Sequence, residues 1–518
     1  MSWIMFEKSV SSFGTTRFRK LAGTFLLSVV LLSYVMMFQG SRGLWERDEG
    51  RYTNIALRML QTKDFIRPAF NDDVAHFAKP PLTYWAIAGG IALLGRNEWG
   101  ARLPNALAFA GTVLLVFAIA RRIARERAWL PPIIYATSLF PFGAANYVTT
   151  DTLLTLWETL AVLGFVCWYQ NKDGRRGDLF LLLMWGGFGL AFLTKGPPGL
   201  LPFTAMLVFV LLADGWRSVP RLFSLKGLGI LVVVGLSWYL VVAAAHPGLM
   251  TYFIRDEFFK RFATGFHGRN PEWYMGFVVY GPVLLLGPLP WVFPFVRKVR
   301  SIPKSMFSLI WWRDKLREDP WVVFLLLWVI LPLTVFFFSR SRLPLYVLPL
   351  FVPIALITGR LTTVPSKWKI HISLLAAWIV FLVAIKYIGA VFPYPRDSRA
   401  MAKYIAGMVQ PVSSEIAFVD TEPFWGLNLY LGCEVERVVS SSRAEMPTDE
   451  TLREELEERE QQVLFVVERS EGAKLVRSCR SLGHRVQKLG QVGSWVFMAR
   501  DNEFNRTASL LSANQSGG

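Results

Sequence analysis

Long apolar runs separated by short basic loops fill the first three quarters of the chain, and the pattern changes near residue 396. The runs fall near 21–40, 103–120, 129–147, 152–170, 179–195, 197–214, 227–245, 274–296, 320–338, 343–359 and 370–390. Each approaches the roughly 20 residues with which an α-helix crosses a bilayer, so the pattern predicts eleven spans. The stretch from Pro80 to Gly95 is equally apolar but too short. At about 1.5 Å per residue it reaches about 24 Å against a hydrocarbon core of about 30 Å. It reads as a juxtamembrane or re-entrant helix, which is tolerated at membrane depth where protein buries it or it lines a cavity. The expected fold is a polytopic α-helical membrane protein with about 11 to 13 transmembrane helices, the range covering such short segments.

From 396 to 502 short apolar strands, Glu415 to Asp420 and Gln462 to Glu468, alternate with polar helical stretches, Thr448 to Gln461 and Ala473 to Arg480, and two strand-like runs follow to Met498. That alternation predicts a small α/β domain after a membrane domain of residues 1–395. The tail, 503–518, reads as disordered. Cys167 lies in an apolar run, while Cys433 and Cys479 share the small domain as either a disulfide or two independent buried thiols.

Composition agrees, with 53% hydrophobic and 18% charged residues and a mean hydropathy of +0.36. A net charge of +18 raises the question of nucleic acid, but the basic residues sit in short loops between apolar runs, as the positive-inside rule requires. Arg121 to Arg127, Lys172 to Arg176, Arg217 to Lys226, Arg297 to Lys304 and Arg360 to Lys369 then mark cytoplasmic returns. Lys8, Arg17, Arg19 and Lys20 precede the first run, and no small-residue cleavage pattern follows it, so it is expected to stay as an anchor with a cytoplasmic N-terminus. Eleven spans put the small domain on the outer side.

Charges that the bilayer disfavours collect at the outer ends of the spans. Trp45-Glu46-Arg47-Asp48-Glu49-Gly50-Arg51-Tyr52 sets adjacent carboxylates beside arginines at a membrane boundary, where uncompensated charge costs roughly 2.5 to 3.5 kcal/mol per residue. The same external loop, about 41–80, closes with His76-Phe77-Ala78-Lys79-Pro80-Pro81. A bland reading is a solvated loop with an aromatic belt. Asp151 opens an apolar helix after Thr149 and Thr150, which is also ordinary capping chemistry. Lys195 stands before Gly196-Pro197-Pro198, either snorkelling or facing a cavity at a helix break. Arg340 and Arg342, in Ser339-Arg340-Ser341-Arg342-Leu343-Pro344-Leu345-Tyr346, lie on the outer face against the positive-inside bias, which an anionic ligand would rationalise. The outer loop from Phe253 to Tyr274 carries Glu257, His267 and Arg269 among many aromatics.

Taken in order, Asp48-Glu49 with Arg51-Tyr52, Lys79-Pro80-Pro81, the Asp151 helix start, Lys195-Gly196, Trp273-Tyr274 with Leu289-Pro290-Trp291, and Arg342-Leu343-Pro344 with Tyr346 resemble the GT-C glycosyltransferases of the protein O-mannosyltransferase and lipid A aminoarabinose transferase group. The resemblance implies inverting transfer of a sugar from a polyprenyl (undecaprenyl) phosphate to a hydroxyl or phosphate of lipid A, another envelope glycolipid or a protein, at the periplasmic face of a bacterial inner membrane. It further implies Asp48 as general base with Glu49 beside it. Arg51, Lys79, Lys195, Arg340, Arg342 and Tyr346 would bind the donor phosphate, and Asp151, His267 and Tyr274 would line the substrate cavity. No nucleotide is needed. Relatives of the aminoarabinose type carry glutamate before Lys-Pro-Pro where this chain has Ala78, so no metal ligand is expected there and the sugar is left open. A transporter or flippase of lipid-linked sugars is the alternative; it would more often show paired halves or charges deep within spans.

Overall fold

The computed structural model describes Gly23 and residues 27–72, 74–172, 174, 176–260, 269–293, 308–362, 368–409, 413–440, 450–457 and 463–500. His267 and the 503–518 tail lie outside them. Eight helices among the described residues are long and apolar enough to cross a membrane. They are Glu98–Ile123, Thr150–Gln170, Gly177–Lys195, Pro197–Asp214, Leu225–Ala245, Pro320–Phe338, Pro344–Leu361 and Ile372–Val391. Three shorter apolar helices accompany them, Leu27–Met36, Leu82–Leu94 and Met275–Leu286. The protein is a multi-pass membrane protein.

Local chemistry sets the helix ends. Asn97 caps Glu98–Ile123 by accepting from the Gly100 N–H at 3.0 Å, and Arg121 and Arg122 close its last turn, where positive charge suits the helix dipole. The run expected as one span over 129–147 divides into Leu130–Thr137 and Leu139–Ala145. Ser138 between them is extended, and Pro141 has no N–H with which to continue a ladder across the joint. The Leu82–Leu94 helix spans 13 residues, as short as expected.

The helices Thr150–Gln170 and Gly177–Lys195 form an antiparallel pair held by glycines. A Cβ on Gly164 would lie 2.5 Å from the Met184 nitrogen, and one on Gly187 would lie 2.7 Å from that of Ala161. This backbone-to-backbone approach, characteristic of small residues in membrane helices, carries the end of the second helix to the start of the first. Lys195 thereby meets Asp151.

The C-terminal domain holds one six-stranded sheet of order β3-β2-β1-β4-β6-β5. The strands are β1 (Glu415–Val419), β2 (Glu434–Val439), β3 (Glu450–Thr451), β4 (Val463–Glu468), β5 (Val486–Val492) and β6 (Trp495–Arg500). β1 to β4 are parallel, and β6 and β5 join antiparallel at one edge. The central strands are buried on both faces, as a parallel sheet requires. Ile416, Phe418, Leu464 and Val466 pack with Tyr52, Ile55 and Met59 of the Asp48–Thr62 helix. Ala417, Phe465 and Val467 pack with Leu452, Leu456 and Leu475 on the opposite face. Cys433 belongs to the first cluster and Cys479 to the second, and both thiols are free and buried.

Polar contacts seat this domain on the membrane part. The Ser398 hydroxyl and the Gly426 N–H donate to Glu46 at 2.5 and 2.7 Å. Arg399 pairs with Glu98 at 2.5 Å, and Asn428 donates to Asn54 at 2.7 Å.

Candidate active site

Asp48 and Glu49 share a helix start but not an environment. Glu49 is fully buried, and its two oxygens accept from Arg42, from Arg102 at 2.9 and 3.0 Å, and from the Trp45 and Val148 N–H groups at 3.0 Å. Burial alone would raise its carboxyl, but the Arg102 and Arg42 guanidiniums outweigh burial and hold it at about 2. Arg102 also donates to the Arg42 and Gly43 carbonyls at 3.0 and 2.7 Å and to that of Gln39. Glu49 is thus a fixed, buried anion whose oxygens are taken up by the residues around it, unlike those of the partly exposed Asp48.

Asp48 keeps about a third of its side chain exposed, at the N-terminus of the Asp48–Thr62 helix, where a carboxylate is favoured. Its Oδ1 accepts from Arg51 at 2.6 Å, and the Arg51 guanidinium lies 5.2 Å from the centre of the Tyr52 ring. Tyr52 and Tyr84 pack at 5.8 Å. Tyr52 lies in the field of both Asp48 and Asp151, and Tyr84 in that of Asp48 and Glu257. These two rings join the Asp48 corner to the next cluster.

That cluster surrounds a cavity of about 290 Å³, partly open to its surroundings. Lys79, Lys195, Glu257, Ser339, Ser341 and Tyr346 supply its polar lining, and Phe77, Pro197, Leu201, Tyr239, Phe253 and Phe336 are among its other walls. Lys195 Nζ pairs with Asp151 Oδ1 and lies 4.2 Å from the centre of the Tyr346 ring. Thr149 holds Asp151 twice, donating its hydroxyl at 3.0 Å and accepting the Asp151 N–H at 3.3 Å. Capping and ion pairing therefore coexist at Asp151. Among the described residues the Ser341 hydroxyl is buried without a partner.

The remaining expected residues divide. Arg342 is buried, and its guanidinium donates to the carbonyls of Phe337 at 3.2 and 2.9 Å, Asn270 at 2.7 Å and Glu272 at 2.9 Å. Its donors are taken up by these backbone carbonyls, which tie the segment around Asn270 and Glu272 to the one before Ser339. Arg340 is exposed and lies outside the cavity lining. Tyr274 is 45% exposed, with its ring against Trp273 at 6.2 Å, and it too lies outside the lining. His76 packs on Phe70 at 4.6 Å, and the lining begins at Phe77.

Several residues of the site go unnoticed in the sequence. Arg102 and Glu158 are ionisable side chains inside apolar helices, a recognisable sign of function or obligatory pairing. Glu158 is buried two turns below Asp151 and lies in the field of Lys195. Arg42, Tyr84 and Tyr239 carry no such signal.

Residues 78–242 match the family described as dolichyl-phosphate-mannose-protein mannosyltransferase. The chain is 32% identical over 341 residues to an undecaprenyl phosphate-alpha-4-amino-4-deoxy-L-arabinose arabinosyl transferase of Pseudomonas fluorescens, covering 64% of this chain and 58% of the relative. It is 34% identical over 340 residues to the corresponding transferase of Pseudomonas aeruginosa, with the same two coverages. The chain thus spans somewhat less than three fifths of the length of these relatives. Its fold superposes on ArnT from Cupriavidus metallidurans bound to undecaprenyl phosphate with a TM-score of 0.75 and 19% identity, covering 93% of this chain and 99% of that one. In sequence the chain is therefore similar to the aminoarabinose and protein O-mannosyl transferases, and it shares the fold of ArnT.

Proposed function

We propose that this protein transfers a sugar from an undecaprenyl phosphate carrier to a hydroxyl or phosphate of an envelope acceptor of the lipid A class, at the periplasmic face of the inner membrane. One observation carries the reading: Lys79, Lys195, Tyr346 and the hydroxyl of Ser341, unpartnered among the described residues, share one apolar-walled cavity, and Tyr52 and Tyr84 link it to the partly exposed Asp48. A lipid-linked sugar phosphate needs cationic and hydroxyl donors for its phosphate and apolar walls for its tail. The likeness to ArnT and to the named transferases supports the same reading.

In this reaction the acceptor oxygen forms a bond to the anomeric carbon as the bond from that carbon to the phosphate oxygen breaks, inverting the centre. Asp48 takes the proton of an acceptor hydroxyl, a role worth roughly 10² to 10⁴ in rate. The polyprenyl phosphate leaves with the bonding electrons. Lys79 and Lys195 meet the charge growing on it, as preorganised donors do, with Ser341 and Tyr346 beside them. Asp151 holds Lys195, and Arg51 holds Asp48.

The basic-loop pattern supports an orientation with the N-terminus cytoplasmic and Asp48, Lys195, Ser341 and the C-terminal domain periplasmic. Labelling of single cysteines with an impermeant reagent tests it; protection of all four regions in spheroplasts would reverse the topology. Function is tested by incubating the purified protein with undecaprenyl phosphate sugars and lipid A. A product heavier by one sugar residue, with free undecaprenyl phosphate released, is expected. Movement of intact labelled lipid between the leaflets of vesicles, with the sugar-phosphate bond unbroken, would instead establish a flippase.

A further inference from the structure

Away from the cavity, three carboxyl groups converge in the C-terminal domain. Glu415 opens β1, Glu436 stands on β2 and Glu455 comes from the Leu452–Glu457 helix that covers that face of the sheet. One oxygen from each lies within 4.8 Å of the others, and all three residues are more than nine tenths buried. Side chains this close are ordinarily bridged by a base or shared out among donors. Among the described residues Glu455, with no exposed surface, has no hydrogen-bond donor for either oxygen other than a proton shared with Glu415 or Glu436, and Glu415 Oε1 is likewise unpartnered. Glu436 takes one neutral donor, the Asn71 amide at 2.5 Å.

The fields that bear on the three groups are chiefly their own and those of Glu434 and Glu450. Glu434 pairs weakly with Arg58, at 3.5 Å, and Arg500 donates to the backbone oxygen of Glu455, not to its carboxylate. Uncompensated buried carboxylates are among the most costly groups a protein can hold. Such a site either keeps protons or takes a cation. Without a cation, burial and the neighbouring carboxylates push all three carboxyls well above the ordinary carboxylate range.

We propose that Glu415, Glu436 and Glu455 bind one hard divalent cation, calcium by preference. An all-oxygen, carboxylate-rich donor set drawn from two strands and a helix suits calcium, which accepts irregular geometry, better than magnesium, which demands an octahedron and keeps its waters. The cation ties the Leu452–Glu457 helix to the sheet. It also bears on the external loop that ends at Lys79, because Asn71 donates to Glu436 and the Asp72 N–H donates to Glu434 at 2.9 Å.

The test uses the full chain in detergent, stripped with chelator and dialysed. Equilibrium dialysis with radioactive calcium near pH 7.5 should show one saturable site per chain, with a Kd no weaker than about 10⁻³ M, the weak end for extracellular calcium sites. Calcium should raise the Tm of the parent and release at least one proton per ion bound, since the ligands must deprotonate. Glu455→Gln and Glu415→Gln should each lose the binding and the Tm response; two variants guard against one that fails to fold, and the proton release needs neither. Absence of saturable binding to the folded parent up to about 10 mM, or binding unchanged in both variants, would overturn the site and leave three carboxyls sharing protons. None of these readouts depends on transfer activity.

Discussion

Glu49 and Arg102, 53 residues apart in the chain, meet without solvent exposure through two parallel hydrogen bonds of 2.9 and 3.0 Å. A bidentate guanidinium–carboxylate pair in a site of low polarisability is strong only while complete. Breaking such a pair typically costs about 3 to 5 kcal/mol, because the survivor is left charged and buried. Glu49→Ala should therefore lower stability by that order, read from the denaturation midpoint in detergent, and should remove activity by unfolding the loop. A variant that unfolds at the parent's midpoint would contradict the structural role.

The same pair fixes a dependence on pH. Glu49 titrates at about 2 in the folded protein against an ordinary 4.5, so the unfolded chain binds the extra proton between those values. Its contribution to stability is complete above about pH 4.5 and is lost as the pH falls toward 2. Thermal melts from pH 6 to about pH 3 should show the parent losing stability on acidification more steeply than Glu49→Gln, which has no proton to take up. Parallel curves would remove Glu49 as the source.

Asp48 should behave in the opposite way. Asp48→Asn keeps the shape and the helix-start position but cannot accept a proton, so turnover should fall by about 10² to 10⁴ with little change in Tm or in undecaprenyl phosphate binding. Activity within about threefold of the parent would exclude a base role.

The contrast between these neighbours shows where sequence reading succeeds and stops. The bilayer permits few backbone solutions, so apolar runs such as 152–170 and 320–338 are readable almost to the residue as Thr150–Gln170 and Pro320–Phe338. Glu415 to Asp420 is readable as β1 for a similar reason, a short run buried on both faces. The division at Ser138 depends on how successive prolines distribute their lost hydrogen bonds, which hydropathy does not register. Nothing in Asp48-Glu49 says which carboxylate is buried, because the answer lies in Arg102, far along the chain. Arg342 is opaque for a related reason: an arginine that serves backbone carbonyls of a segment some 70 residues earlier has the same sequence signature as one that serves an anionic ligand. The order of the sheet, with β1 between β2 and β4, rests on long-range pairing that local propensity does not encode.

Lys195 lines the cavity while Arg342 is spent on backbone carbonyls, so the two offer a direct comparison. Lys195→Gln should weaken undecaprenyl phosphate binding by about 10- to 150-fold, the loss of one charge-assisted bond of roughly 1.5 to 3 kcal/mol. Arg342→Gln should lower the Tm by several degrees, since buried carbonyls of Phe337, Asn270 and Glu272 lose their donors. Its folded fraction should bind the carrier within about threefold of the parent. A binding loss in Arg342→Gln as large as in Lys195→Gln, at unchanged Tm, would return Arg342 to the phosphate.

Transfer itself is expected to need no divalent metal. Ala78, at the cavity wall before Lys79, offers no side-chain ligand. Glu257, the carboxylate of that lining, accepts from the Tyr252 hydroxyl at 3.1 Å. Charge on the departing phosphate can be met by Lys79 and Lys195, each able to give charge-assisted bonds of roughly 1.5 to 3 kcal/mol. The C-terminal carboxylates make the choice of temperature matter, because a chelator that strips them lowers the melting point. Well below that melting point the purified enzyme should keep its rate in excess chelator, and Glu455→Gln should do the same. A loss of rate at low temperature that one added metal restores in both proteins would place a metal at the cavity, with Glu257 as the first ligand to test.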